Sequence, residues 1–136
     1  MNVREKLHAH YEEEGLGVPD GWFAVVIRRR RFRLFPLGPL QTLLTLHDLH
    51  HMLSGYESSV AGEAEVIAWE LGSGGYGKFW YAWFDAFKIL VLALLFPRRF
   101  RAAFKRGKQF KNLYNEDPES LMDLEWSALV SRVGTP

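Results

Sequence analysis

Apolar positions in this chain recur mostly at intervals of three and four residues, interrupted by clusters of glycine and proline. That rhythm predicts a mainly α-helical fold. Residues 3–14 form a short polar helix, ended by Gly15, Gly17 and Pro19. Residues 23–27 (FAVVI) are β-branched and aromatic, and 32–35 (FRLF) alternate, so at most one short β-hairpin is expected near residues 23–35. The four arginines between these runs make a poor tight turn. Pro36, Gly38 and Pro39 close the region, and a helix follows over about 40–54, with Leu43, Leu44, His47, His51 and Met52 along one stripe. Gly55 stands where a C-terminal cap belongs, and Ser58 or Ser59 can cap the next helix, about 60–71. After Gly72, Gly74, Gly75 and Gly77, a long helix runs to Phe96 and is stopped by Pro97. Residues 98–111 are amphipathic, with Phe100, Ala103, Phe104, Gly107 and Phe110 as the apolar stripe. Asp117 with Pro118 opens a short helix, and Leu124, Ala128 and Leu129 mark a last one. The expectation is one domain over residues 1–136, a bundle of five to seven helices.

Composition changes this picture further. With 48% hydrophobic and 15% aromatic residues, the chain should fold rather than stay disordered. It has no cysteine, which excludes disulfides and thiolate ligands and suits a reducing cytoplasm. The polar N-terminus predicts no secretory signal. The longest apolar stretch, 79–96, is barely long enough to span a bilayer and carries Asp85 and Lys88 near its middle. It is therefore expected as a core or membrane-contacting helix, with Asp85 a partner for Lys88. Its aromatic end, Trp80, Trp83, Phe84 and Phe87, would line a pocket for an isoprenoid chain.

Net charge is only +1, yet the charges are segregated. Residues 28–33 hold five arginines, and 98–111 hold seven basic side chains and no acid. This asymmetry predicts contact with an anionic surface. Phe100, Arg101, Phe104 and Lys105 would lie at an anionic bilayer, placing the protein in the cytoplasm, peripheral on the inner face of the cell membrane. Nucleic acid is not the expected partner, because the arginines fall in separate segments and no nucleic-acid motif is present. The high apolar content for this size also suits a homodimer.

The chemistry concentrates at 47–63, HDLHHMLSGYESSVAGE. His47 and His51, four apart, project from one helical face and can grip one ion. Asp48 can reach the same ion from the edge of that face. Glu63 joins if the SGYESS turn lays the next helix antiparallel. Two nitrogens and two oxygens suit Zn²⁺ first, with Fe²⁺ or Mn²⁺ also served. Taken alone, Glu63 is also explained as a solvated helix residue, or as a first-turn acid favoured by the helix dipole. Gly62 beside it is unfavourable inside a helix, which implies a close approach there. His50 points to another face, as a surface or supporting residue.

The combination H-D-x-x-H, eleven residues, then E resembles the metal signature of the Coq four family of coenzyme Q (ubiquinone) biosynthesis. The continuation LSGYESSVAGE and the later RRFRAAFKRGK…NLY are similar to short bacterial members, so the likeness covers about 40–115. The resemblance implies a metal, usually zinc, on His47, Asp48, His51 and Glu63. It also implies an apolar channel for an isoprenoid chain and peripheral membrane association. The activity it implies is removal of the ring carboxylate from a prenylated hydroxybenzoate-type quinone precursor, a carbon–carbon lyase reaction. His50 and Tyr56 are the nearest candidates for the general acid.

Two rivals stand beside it. One is a non-catalytic lipid-binding scaffold that organises other quinone-making enzymes around a structural metal. The other is an HD-type metal phosphohydrolase, because His47–Asp48 is also that dyad. It would need His8 or His10, and Asp85, as further ligands, and it leaves Glu63 unexplained.

Overall fold

The computed structural model describes residues 1–15, 22–36 and 38–134, with side chains described at all of these except 22–26, 35, 39, 80, 81 and 84. The described residues form seven α-helices and one two-stranded antiparallel hairpin. The mainly helical, single-domain expectation therefore holds.

Helix α1 (Val3–Glu13) begins on a reciprocal cap: Asn2 accepts from the Glu5 amide, and the Glu5 carboxylate accepts from the Asn2 amide. Val3, Leu7 and Tyr11, spaced by four, face the core. Strands β1 (Trp22–Ile27) and β2 (Arg30–Pro36) pair with Ile27 opposite Arg30. Arg28 and Arg29 form the turn, both with positive φ (51° and 67°). Such mirror-image turns are the natural two-residue hairpin connection, but they normally use Asn or Gly. The arginines thus turn the chain tightly after all, at about 1–2 kcal/mol per left-handed residue.

Helices α2 (Pro39–Ser54) and α3 (Val60–Gly72) carry the 47–63 motif. The fully buried face of α2 is Leu46, Leu49 and His50, one step around from the stripe that the sequence predicts. Leu44 of that stripe is exposed, and Leu43 and His47 border a cavity. Helix α3 is the centre of the core: Val66, Ile67, Ala68, Trp69 and Glu70 are all buried.

The predicted continuous helix from Gly77 to Phe96 is instead two pieces. Residues 73–78 turn, Trp80–Asp85 form a 3₁₀ helix, and α4 runs over Ala86–Leu95. Gly77 (φ 53°) breaks the chain, and bulky aromatics favour the α-helix weakly. Phe96 leaves helical geometry (φ −128°, ψ 56°), because the α region is disfavoured for the residue before a proline. Pro97 accordingly opens α5 (Pro97–Gly107) at its first turn.

Of the two expectations for this stretch, a core or a membrane-contacting helix, the core reading fails for α4: Leu92 is its one buried residue. Helix α5 packs its apolar stripe onto α3, so tightly that a Cβ on Gly107 would meet the backbone of Trp69. Arg98, Arg99, Arg101 and Lys105 face outward, while Arg106 turns inward and donates to the Ser54 carbonyl. Helix α6 (Pro118–Met122), capped by Asp117, and α7 (Trp126–Val133) close the core against α1. The Val3 amide donates to the Leu124 carbonyl, tying the two ends of the described chain together. Among the described residues, no helix is long and apolar enough to cross a membrane.

Candidate metal centre

The turn between α2 and α3 is built to bring two helix ends together. Gly55 ends α2 in the left-handed conformation (φ 83°), and its amide returns to the His51 carbonyl. Ser59 caps α3 by accepting from the Gly62 amide. Gly62 leaves no room for a side chain, because a Cβ there would meet the Glu57 carbonyl. This is the close approach that its place in a helix implied. Glu63 then falls in the first turn of α3, where the helix dipole favours its charge.

His47, His51 and Glu63 converge, with one donor atom from each within 4.8 Å of the others. Nε2 of His51 lies 2.7 Å from Glu63 Oε1, and Nε2 of His47 lies 3.2 Å from Glu63 Oε2. The far nitrogens are held too. His51 Nδ1 is 3.0 Å from the Tyr56 carbonyl, which can only accept, so that nitrogen carries the proton. His47 Nδ1 is 2.5 Å from Glu70 Oε1, again a pure acceptor when ionised. Both rings in their neutral form therefore turn an Nε2 lone pair toward Glu63. That is the arrangement that suits imidazoles as metal ligands.

Electrostatics agrees with this geometry. Burial opposes charge on His47, but Glu70 and Glu63 overcome it and push its pKa up to about 10. Burial likewise opposes charge on Glu63 and Glu70, yet the histidines hold both well below the usual carboxylate range. A proton on His47 thus occupies the position where a cation is wanted. One carboxylate and two neutral imidazoles with oriented donors fit a divalent ion, and the Glu70 carboxylate stands behind His47.

The four-residue set expected from the motif does not close as a set. Asp48 accepts from the Tyr11 hydroxyl at 2.7 Å and stands outside the three-residue group. Burial raises its pKa against the pull of that hydrogen bond. The helix turns about 100° per residue, which points Asp48 toward α1 rather than toward Glu63. His8 is exposed and His10 half-buried, and neither joins the group; Asp85 is exposed, 4.0 Å from Lys88.

His50 is not at the surface, as one expectation had it, but fully buried. Its Nε2 accepts from the Leu113 amide at 3.0 Å, which fixes the neutral ring with a proton on Nδ1, 3.7 Å from Glu70 Oε2. Burial lowers its pKa accordingly. Tyr56 contributes its carbonyl, while its ring lies 5.3 Å from the Arg106 guanidinium. The expected general acids thus both sit off the cavity wall.

A cavity of about 360 Å³ lies against this centre. Leu40, Leu43, Ile67 and Ile89 make it apolar, while His47, Tyr76 and Tyr114 bring polar atoms to its wall. Asp85 and Lys88 also line it. Of the aromatics assigned to such a pocket, Trp83 is half-exposed and stacks edge-on to Tyr76, and Phe87 is exposed; the side chains of Trp80 and Phe84 lie outside the described residues. Phe100 and Phe104, assigned to a bilayer, are instead half-buried, while Arg101 and Lys105 remain exposed. Phe100 packs against the buried cluster of Ala64, Val66, Ile67 and Leu92.

Glu70 is the site residue that the sequence pattern misses. It is fully buried, and it takes the Tyr114 hydroxyl on Oε2 as well as His47 on Oε1. The available signal is its spacing: seven residues after Glu63, two turns along the same face, and the one carboxylate in the apolar run VIAWELG. No protein-family profile matches this chain, and no curated protein or solved structure matches it either.

Proposed function

We propose that this protein binds a divalent metal, zinc foremost, and acts on the head group of a prenylated hydroxybenzoate-type quinone precursor, in the manner of the Coq four family. The observation that carries the reading is the convergence of His47 Nε2, His51 Nε2 and the Glu63 carboxylate beside an apolar cavity that has His47 in its wall. His47, His51 and Glu63 would hold the ion. A bound divalent ion supplies Lewis acidity, stabilising negative charge that develops on the ring as carbon dioxide leaves. In that step the ring carbon keeps the bonding pair and takes up a proton.

The chain's own residues supply binding and orientation. Leu40, Leu43, Ile67 and Ile89 would exclude water and take the apolar tail, and Lys88 can attract a carboxylate at the wall. Three protein ligands leave a position open for substrate, which favours the catalytic reading over a structural metal in a scaffold, where four ligands normally close the sphere. The phosphohydrolase reading gains nothing, since its additional ligands do not gather.

Substrate of this kind reaches the site from a membrane. Phe87, Leu90 and Leu94 are exposed along one face of α4, spaced as one helical stripe, and Arg98, Arg99 and Arg101 follow directly on α5. An apolar stripe beside exposed cations fits an anionic bilayer surface. The test is turnover: carbon dioxide released from a short-chain prenylated hydroxybenzoate by the zinc-loaded chain, and not by His51→Ala. Full activity in that variant sinks the reading.

A further inference from the structure

We infer that Glu70 is the positioning residue of the metal centre, holding His47 in the tautomer and orientation that present Nε2 to the ion; this rests on the metal reading above. Glu70 touches neither the ion's position nor the cavity. It acts through His47.

Three observations carry the inference. A carboxylate is strongly unfavourable in a protein interior unless donors converge on it, and Glu70 has no exposure at all. Its donors come from two distant segments: His47 on α2 and Tyr114 beyond α5, with the His50 Nδ1 proton facing the same oxygen as Tyr114 from 3.7 Å. Its backbone is pinned as well, because Asn112 Nδ2 donates to the Glu70 carbonyl and Asn112 Oδ1 accepts from the Tyr114 amide. Glu70 is thus held at its backbone carbonyl and at Oε2 by groups other than His47.

The two histidines also differ in their support. His51 is oriented by a neutral carbonyl, His47 by a charged carboxylate. A carboxylate behind the ring raises its basicity as a ligand. His47 is the ligand in the cavity wall, so Glu70 strengthens the metal bond nearest to bound substrate. If the pair served stability alone, metal affinity would be indifferent to it, since a well-packed apolar pair holds a core as well or better.

The experiment is competition for zinc against a chromophoric chelator, using the full chain as wild type, Glu70→Gln and Glu63→Gln, with folding followed by circular dichroism. Glu70→Gln should stay folded and bind zinc about 10- to 100-fold more weakly, since supporting residues of this kind typically contribute that much. Equal affinity in Glu70→Gln and wild type overturns the inference and leaves the metal reading intact. Absence of zinc binding in the wild type overturns both. Nitrogen-15 spectra of the zinc-loaded wild type decide the question even if Glu70→Gln fails to fold. His47 should carry metal on Nε2 and a strongly deshielded proton on Nδ1, and metal on Nδ1 overturns the inference.

Discussion

Glu63 Oε1 lies 2.7 Å from His51 Nε2, across a turn that ends one helix and starts the next. The eleven residues between them act as a hinge pin for the whole centre, because the same carboxylate meets His47 through its other oxygen. Glu63→Gln keeps the shape and removes the charge. Zinc at a hundred times its dissociation constant should stabilise the wild type by about 2.7 kcal/mol. In Glu63→Gln the zinc-dependent rise in melting temperature should shrink or vanish. A full rise in the variant means that zinc binds elsewhere.

The metal-free protein should depend on pH in a defined direction. His47 has its pKa raised from 6.5 to about 10, so the folded state holds its proton more tightly than the unfolded state. That contribution is complete below pH 6.5 and is lost as pH rises toward about 10. Glu63 and Glu70 have lowered pKa values, so their contribution is present above the ordinary carboxylate value of 4.5 and is lost as pH falls through their folded values. Melting temperature in excess chelator should therefore decline on both sides of a plateau between pH 4.5 and 6.5. The alkaline decline should be smaller in zinc, where the metal replaces the His47 proton at Nε2. A metal-free profile that is flat from pH 6.5 to 10 contradicts the His47–Glu70 pairing.

Gly62→Ala should destabilise the fold, although alanine is the better helix former by about 1 kcal/mol. The new Cβ meets the Glu57 carbonyl, which is backbone and cannot swing away. The expected net loss is about 1–3 kcal/mol, with a matching drop in zinc affinity as Glu63 shifts. Urea titration measures the first and chelator competition the second. Val60→Ala, at an exposed neighbouring position, is the control and should change little.

Phe87→Glu and Leu94→Glu test the outer face of α4. Both side chains are mostly exposed (78% and 72%), so stability should change by less than about 0.5 kcal/mol. Binding to phosphatidylglycerol vesicles should fall sharply in each, and wild-type binding should weaken with salt. Vesicle binding that survives both substitutions places the membrane contact elsewhere.

Much of this centre is legible in the sequence because it depends on local spacing. Four residues on a helix place His47 beside His51 whatever surrounds them, and Gly55 and Ser59 announce the turn that returns Glu63. Asp48 shows the limit of that logic. Its spacing brings it near the ion, but Tyr11, 37 residues away on α1, captures the carboxylate. Glu70 shows the converse, since its meaning depends on Tyr114, 44 residues later. Nor does composition report coverage: α4 is apolar nearly all round, yet too few neighbours pack on it to make it a core helix. The aromatic run before it breaks into a 3₁₀ segment where hydropathy alone sees one continuous helix.

The most direct test of the central claim is elemental analysis of the purified full chain beside the His47→Ala/His51→Ala double variant, after identical gentle purification and zinc reloading. A single divalent ion per chain in the wild type, lost in a variant whose circular dichroism remains helical, is the predicted result. No bound metal in the wild type, or equal metal in both proteins, contradicts the claim that His47, His51 and Glu63 form a metal centre.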